Sequence, residues 1–300
     1  FDEQANIQWA RALEEAGVHV VYGLIGLKTH SKTALVVRQE SGQIRRYWHI
    51  GTGNYNPKTA RLYEDIGVLS SNPVFGNDLN DLFNYLTGYS RHTSYRKLLV
   101  APHGLRDRLI ALVEEQAALG TNGKIVMKMN GLVDTLMIDA LYNASKAGVK
   151  IDLLVRSICC LRPGVPGLSD NIRVRSIVGR YLEHSRLFAF GGATTPAAYY
   201  IGSADLMPRN LDRRIEVVMP VEDPALQERL QEVIDADFDD AATAWQLAAD
   251  GHWHQLFGES FFESQRRLRD LALSRGSRRT EAVAVVSPLR RWRPRIGRSR

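Results

Sequence analysis

Apolar positions along the chain follow helical spacing in some segments and short strand-like runs in others, and together they predict an α/β protein. Turn residues such as Gly, Asn and Ser separate the runs. The predicted helices span residues 2–16, 77–89, 105–119, 133–147 and 223–245. The predicted strands span residues 18–22, 33–37, 44–50, 98–100, 124–129, 150–155, 187–190, 198–201 and 214–219. The second and third of these strands form a hairpin around Glu40-Ser41-Gly42.

A polar link over residues 91–95 separates the first elements from a second series of alternating strands and helices. We therefore predict a first domain over residues 1–96, a second over residues 97–255 and a basic tail over residues 256–300. Residues 264–300 contain twelve arginines but only Asp270 and Glu281 as acids, whereas the rest of the chain is slightly acidic. Such a composition predicts that the tail is partly disordered, above all over residues 276–300.

The overall composition is that of a globular protein, with 44% apolar and 24% charged residues in a chain of 300. No apolar stretch reaches the roughly 20 residues that span a bilayer. The adjacent pair Cys159 and Cys160 indicates a reducing compartment. We expect a cytoplasmic protein, with peripheral attachment to a membrane left open. Because the chain opens on Phe1 without a starting Met, we also expect it to be a fragment of a longer protein.

Two similar triplets, His30-Ser31-Lys32 and His184-Ser185-Arg186, lie 154 residues apart, and each precedes an apolar run and then Ile-Gly. The repetition predicts a duplicated half-site. Residues i and i+2 of a strand share a face, so each histidine and its cation are expected in one cleft. Two imidazoles with two cations suit phosphoryl transfer, in which one ring attacks phosphorus, the other moves a proton, and the cations hold phosphoryl oxygens.

Further candidates lie near these triplets. Asn54 ends the Gly51-Thr52-Gly53-Asn54 turn, which is a candidate phosphate cradle or a plain turn. Arg156 ends an apolar strand, where α/β folds place ligand groups, although a solvated arginine there is equally common. Tyr63 is a candidate for stacking on a base, but an aromatic residue in an apolar segment is usually part of a core. His49 is a rival histidine without a counterpart in the second half, so we interpret it as supporting or structural.

Seven long strings of the sequence resemble the C-terminal half of bacterial polyphosphate kinases of the long, first type. The resemblance covers roughly residues 1–245. The strings are Gly26–Lys32, His49–Asn56, Thr59–Asp65, Cys159–Gly167, Asn171–Val178, Tyr181–Arg186 and Arg209–Glu216. Agreement over so many strings is not expected by chance.

The resemblance implies two phospholipase D-like domains, with mixed sheets flanked by helices and the active site between them. It implies reversible transfer of the terminal phosphate of ATP to inorganic polyphosphate through a phosphohistidine on His30, with His184 as acid or base. By the same resemblance, ATP contacts Tyr63, Arg156 and His184, while the residue pattern described above predicts phosphate contacts at Lys32, Asn54 and Arg186. Mg²⁺ is implied, with ligands expected mainly upstream of Phe1 or on the nucleotide and none in this chain. The implied partners are ATP or ADP, polyphosphate and further copies of the protein, without a specific nucleic acid.

Two alternatives stay open at this point. One is a phospholipase D-like phosphodiesterase acting on lipid or nucleic acid, whose signature is His-x-Lys followed after four residues by Asp. Val37 and Gly191 stand at the Asp positions and Arg186 replaces the second Lys, which counts against diester hydrolysis. The other is a non-catalytic module that binds polyanions through the arginine-rich tail, with binding that weakens as salt rises.

Overall fold

The computed structural model describes residues 3–192, 196–257 and 262–284. The helices are α1 (Glu3–Glu15), α2 (Pro73–Leu86), α3 (Leu105–Ala117), α4 (Thr135–Lys146), α5 (Pro208–Arg213), α6 (Pro224–Asp239) and α7 (Ser264–Ala284). The strands are β1 (Lys28–Thr29), β2 (Lys32–Glu40), β3 (Gln43–Gly51), β4 (Tyr63–Glu64), β5 (Gly67–Ser70), β6 (Leu99–Ala101), β7 (Lys124–Met129), β8 (Lys150–Val155), β9 (Ile172–Ile177), β10 (Leu182–Glu183), β11 (Leu187–Phe190), β12 (Ala198–Gly202), β13 (Arg214–Val221), β14 (Ala244–Leu247) and β15 (Trp253–Gln255).

The first half contains an antiparallel sheet of three strands, in the order β2-β3-β5, with α2 packed against it. The predicted hairpin is confirmed, and its turn places Ser41 and Gly42 at positive φ angles of 50° and 79°. α2 begins earlier than predicted because Asn72 caps it, accepting a hydrogen bond from the Val74 N–H, and Pro73 suits the first helical position.

The second half is built around a sheet of ten strands, in which β1-β13-β12-β11-β7-β8-β9-β14-β15 lie in that order and β6 also pairs with β13. β7, β8 and β9 run parallel, β11 and β12 are antiparallel to their neighbours, and β13 is antiparallel to β12 and β6 but parallel to β1. The predicted α/β class with a mixed sheet is therefore confirmed, although the smaller sheet of the first half is antiparallel throughout. No helix in the described part of the chain is both long and apolar enough to cross a bilayer.

The two halves are joined by backbone pairing and by a shared core. β1 of the first half runs parallel to β13, with Thr29 opposite Ile215, and β4 runs parallel to β10. One apolar cluster contains Trp48 and Phe75 from the first half together with Leu187 from the second. We call these two strand pairs, β1–β13 and β4–β10, and the residues beside them the seam; His30 follows β1 and His184 follows β10.

One predicted strand and the end of one predicted helix are wrong. Residues 18–22 form no strand, and Val18 and Tyr22 are exposed, because β1 further along the chain takes the place beside β13. The helix predicted over residues 223–245 ends at Asp239. The Asp240 carboxylate accepts hydrogen bonds from the N–H groups of Ala242 and Thr243, which starts a turn, and the chain continues into β14.

Several elements were not predicted from the sequence. They include β9, the two-residue strands β1, β4 and β10, the short helix α5 and the strands β14 and β15. α7 is the longest of them and lies within the predicted basic tail, where it packs against α6. The end of that tail, residues 285–300, lies outside the described residues.

Candidate active site

His30 is fixed at the point where β1 ends against β13. The N–H groups of His30 and Ser31 both donate to the Ile215 carbonyl oxygen, each over 3.0 Å. This pairing places the His30 ring beside Glu216, the next residue of β13, and Nδ1 lies 2.9 Å from the Glu216 carboxylate. The Glu216 side chain is completely buried, so His30 is its partner across the two halves.

The Glu216 carboxylate sets the tautomer of His30. It accepts hydrogen bonds from the Ser203 hydroxyl and, over 2.7 Å, from the Asn210 amide. An ionised carboxylate can only accept, so Nδ1 of His30 carries the proton and Nε2 keeps a free electron pair. Burial lowers the pKa of His30, and Lys32 and Arg214 add to this effect while Glu216 opposes it. The ring is therefore neutral near pH 7, as a nucleophile requires.

A pocket of about 570 Å³ opens beside His30. Lys32, Asn54 and Arg214 line it together with His30, so the structure brings three of the predicted residues to one cavity. Lys32 donates a hydrogen bond to the His30 carbonyl oxygen, and burial lowers its pKa to about 8. Arg214 was not predicted, although the dibasic Arg213-Arg214 before an apolar strand is a signal in the sequence.

His184 has a carboxylate partner from the opposite half. Its Nδ1 lies 2.8 Å from Oδ1 of Asp65, and its Nε2 lies 3.2 Å from Nη1 of Arg186. A guanidinium can only donate, so Nε2 accepts and Nδ1 carries the proton toward Asp65. His184 is only 7% exposed and does not line the pocket beside His30. Lys32 connects the two regions, because it interacts electrostatically with both Asp65 and Arg186.

Arg186 is committed to protein partners. It forms two hydrogen bonds with the Asp205 carboxylate, over 3.2 and 3.1 Å, and donates to the His184 carbonyl oxygen over 2.6 Å. Burial alone would raise the pKa of Asp205, but the charge of Arg186 and hydrogen bonds from Arg186 and Asn130 lower it. Arg186 is thus buried beside His184 and paired with Asp205, and it does not line the pocket that contains Lys32 and Asn54.

Tyr63 and Arg156 both lie beside His184. The ring centroids of Tyr63 and His184 are 4.9 Å apart with an interplanar angle of 47°. Arg156 donates to the Glu183 carbonyl oxygen over 3.0 Å. Tyr63 is partly exposed and is not part of the apolar core, so one face of the site has an accessible aromatic ring next to a cation.

The Gly51–Asn54 turn holds Asp65 in place. Thr52 donates to Oδ1 of Asp65 over 2.6 Å, and a Cβ atom at Gly53 would lie 2.5 Å from Oδ2 of the same carboxylate. Glycine at position 53 is therefore required by the close approach of Asp65. Asn54, at the end of the turn, lines the pocket beside His30.

His49 lies apart from the pocket that contains His30. Its Nδ1 is 2.6 Å from the Tyr55 hydroxyl oxygen, and its ring covers Gly51 and Gly67, where a Cβ atom would approach to 2.8 and 2.4 Å. These contacts fit the supporting role that the sequence indicated.

The two imidazoles are arranged reciprocally: each comes from one half and hydrogen-bonds to a carboxylate of the other. Sequence reasoning did not single out Asp65, Glu216 or Asp205. Glu216 had a recognisable signal, because an acid between Ile215 and Val217 in an apolar strand must have a buried partner. Asp65 lies outside every predicted helix and strand, so the sequence offered no comparable signal for it.

The described residues contain no group of three or more His, Cys, Asp or Glu side chains that would hold a metal ion. The carboxylates nearest the two histidines are engaged by His30, His184 and Arg186. These residues do not fit a magnesium site, and no step proposed below passes through the metal.

Comparisons with known proteins agree on one family. The family model described as Polyphosphate kinase C-terminal domain 1 matches residues 1–92, and that described as Polyphosphate kinase C-terminal domain 2 matches residues 98–265. Polyphosphate kinases from Mycolicibacterium gilvum and Thermosynechococcus vestitus are 61% and 60% identical over 259 and 258 residues. Each alignment covers 85% of this chain, which spans 35% of the length of either relative.

A solved polyphosphate kinase from Porphyromonas gingivalis has the same fold. It superposes with a TM-score of 0.83 at 34% identity, covering 90% of this chain and 42% of that one.

Proposed function

Because the chain belongs to the polyphosphate kinase family, we propose that it forms the phosphoryl-transfer site of an ATP:polyphosphate phosphotransferase. The observation that carries this proposal is the reciprocal pairing of two imidazoles with buried or half-buried carboxylates across the seam. The substrates are ATP or ADP and inorganic polyphosphate, and the whole protein works as a homo-oligomer with Mg²⁺ bound outside the residues described above.

His30 is the nucleophile in this proposal. Its free Nε2 forms a bond to the γ-phosphorus of ATP, the bond from that phosphorus to the bridging oxygen breaks, and ADP leaves with the electron pair. The imidazole gains positive charge as the N–P bond forms, and the buried Glu216 carboxylate stabilises that charge. Lys32 and Arg214 line the pocket beside the ring and bind the phosphoryl oxygens, with Asn54 donating through its amide.

His184 moves the proton in the second half of the reaction. A terminal oxygen of polyphosphate attacks the phosphorus on His30, the N–P bond breaks, and His30 recovers its electron pair. Nε2 of His184, which accepts a hydrogen bond from Arg186 in this structure, exchanges that bond for the proton of the attacking phosphate hydroxyl, and Asp65 stabilises the resulting imidazolium. In the reverse direction the same proton returns to the phosphate. Tyr63 and Arg156, beside His184, are suited to contact the nucleotide.

The chemical stability of a labelled intermediate tests this proposal. Incubation of the whole protein with γ-labelled ATP is expected to leave label on the protein that survives base and is lost in acid, as a phosphoramidate does. Addition of polyphosphate should transfer the label to polyphosphate, and addition of ADP should return it as ATP. Label that is lost in base and retained in acid would instead indicate an acyl phosphate or phosphoester and would contradict the proposal.

The pKa of Lys32 predicts how phosphate binding depends on pH. Burial lowers this pKa to about 8, so the ammonium is present below pH 8 and is lost as the pH rises through that value. The KM for polyphosphate is therefore expected to rise above pH 8. The rise approaches about tenfold per pH unit, because binding then requires the Lys32 amine to take up one proton. In Lys32→Arg the guanidinium stays charged, and this part of the pH dependence should disappear. An identical rise in KM in both proteins would assign the effect to another group.

A further inference from the structure

A buried lysine lies directly below the seam, although it contacts neither of the two proposed catalytic histidines. Lys128 of β7 has a side chain that is 5% exposed, and its Nζ is surrounded by three carboxylates. The distances from Nζ are 2.6 Å to Glu183, 2.8 Å to Asp237 and 3.2 Å to Glu64. Glu64 belongs to the first half, whereas Lys128, Glu183 and Asp237 belong to the second. One ammonium therefore connects the halves.

The β4–β10 pair of the seam brings two like charges together. In the β4–β10 register Glu64 lies opposite Glu183, and like charges at opposed positions of a strand pair repel each other. The pair has only two residues in each strand, so its hydrogen bonds offer little to offset that repulsion. Lys128, bound to both carboxylates, supplies the charge that allows the strands to pair.

The same strand pair determines where His184 meets its partner. Asp65 directly follows Glu64, and His184 directly follows Glu183, so the 2.8 Å bond between Asp65 and His184 is one residue away from the opposed carboxylates. Glu64 also accepts a hydrogen bond from the Ser185 hydroxyl over 2.6 Å. Separation of β4 from β10 would therefore move Asp65 away from the His184 ring.

We propose that Lys128 is a positioning residue for phosphoryl transfer, which holds β4 against β10 so that Asp65 orients His184. The catalytic effect of this role rests on the proposed function, whereas the contact between Asp65 and His184 is already present without substrate.

Protonation of the carboxylates gives the proposal a characteristic pH dependence. The charged groups that face the cluster are Lys128, Glu64, Glu183, Asp237, Asp240 and Arg156. Burial raises the pKa of Glu183 to about 7; Lys128 opposes this rise, and Glu64 and Asp237 add to it. Without Lys128 the carboxylates would bind protons at still higher pH, and protonation would remove the repulsion. The defect of a variant without the ammonium should therefore be small in acid and grow as the pH rises.

The test uses Lys128→Met in the whole protein, with Lys124→Met as the matched control, since Lys124 is an exposed residue of the same strand. The kcat/KM of Lys128→Met for ATP is expected to fall at least about tenfold at pH 8.5, with a much smaller loss at pH 6. Adding Glu183→Gln removes one of the opposed charges and should recover most of the activity at pH 8.5. Lys124→Met should behave as the unmodified protein at both pH values.

A role in packing alone would give a loss that does not change with pH and is not rescued by Glu183→Gln, and either result would overturn the proposal. If Lys128→Met does not fold, an active double variant supports the proposal, whereas failure of both variants to fold overturns it. If the unmodified protein transfers no phosphate, the proposed function fails separately. The inference is then decided by a crystal structure of Lys128→Met at pH 8.5, in which a retained 2.8 Å bond between Asp65 and His184 would overturn it.

Discussion

Replacing His30 with alanine is expected to abolish labelling of the protein by γ-labelled ATP and to lower kcat by at least about 10³-fold, the size typical of removing a nucleophile. The physical reason is specific to this ring. Glu216 holds the proton on Nδ1, the ring is neutral near pH 7, and Nε2 has a free electron pair beside a pocket lined by Lys32 and Arg214. Retention of label on the denatured protein and steady-state turnover measure the two effects.

His49→Ala is the matched control, because His49 is a second histidine of the first half that lies outside the pocket. This variant should still retain acid-labile label, even if its rate falls through loss of the contact with Tyr55. Label that persists on an imidazole of His30→Ala would show that another histidine is the acceptor. Loss of label in His49→Ala with normal labelling of His30→Ala would exchange the roles of the two residues.

The sequence predicted the larger elements because each has a complete pattern within a short segment. β7, β8 and β11 were predicted with the same bounds that the structure has, since each is a short, mainly apolar run followed by polar or glycine residues. The strands β1, β4 and β10 have two residues each and contain Lys, Thr, Tyr or Glu, so no local pattern distinguishes them from loops. They are strands only because the partner half provides an edge.

The candidate site shows the same division between local and non-local information. The two His-Ser-Lys/Arg triplets predicted that each histidine would lie near a cation, and His30 with Lys32 and His184 with Arg186 are close in the structure. The carboxylates that fix the imidazoles come from positions 186 and 119 residues away, so no spacing rule connects them. Burial also changes what a residue is suited to do: Arg186 is paired with Asp205 beside His184, whereas the cations that line the pocket beside His30 are Lys28, Lys32 and Arg214.

Glu216→Gln is expected to lower the rate of phosphoryl transfer by roughly 10²–10⁴-fold while leaving the fold intact, because an orienting carboxylate sets both the tautomer and the charge of its histidine. Glu216 accepts hydrogen bonds from His30, Ser203 and Asn210 on two oxygens. Glutamine has one oxygen and an amide that donates, so at least one of the three donors loses its acceptor. An amide turned toward Nδ1 of His30 would favour the tautomer with the proton on Nε2, which lacks the electron pair for attack.

Rapid-quench measurement of the first labelled turnover separates this effect from ATP binding, which Glu216→Gln should leave within about threefold because Glu216 does not line the pocket. Glu222→Gln is the matched control, since Glu222 is an exposed acid just beyond the end of β13 that pairs with Lys97 on the surface. It should leave the first turnover unchanged. A rate in Glu216→Gln equal to that of the unmodified protein would mean that the His30 tautomer is set by something other than this carboxylate, and that the reciprocal pairing across the seam is structural in this half of the site.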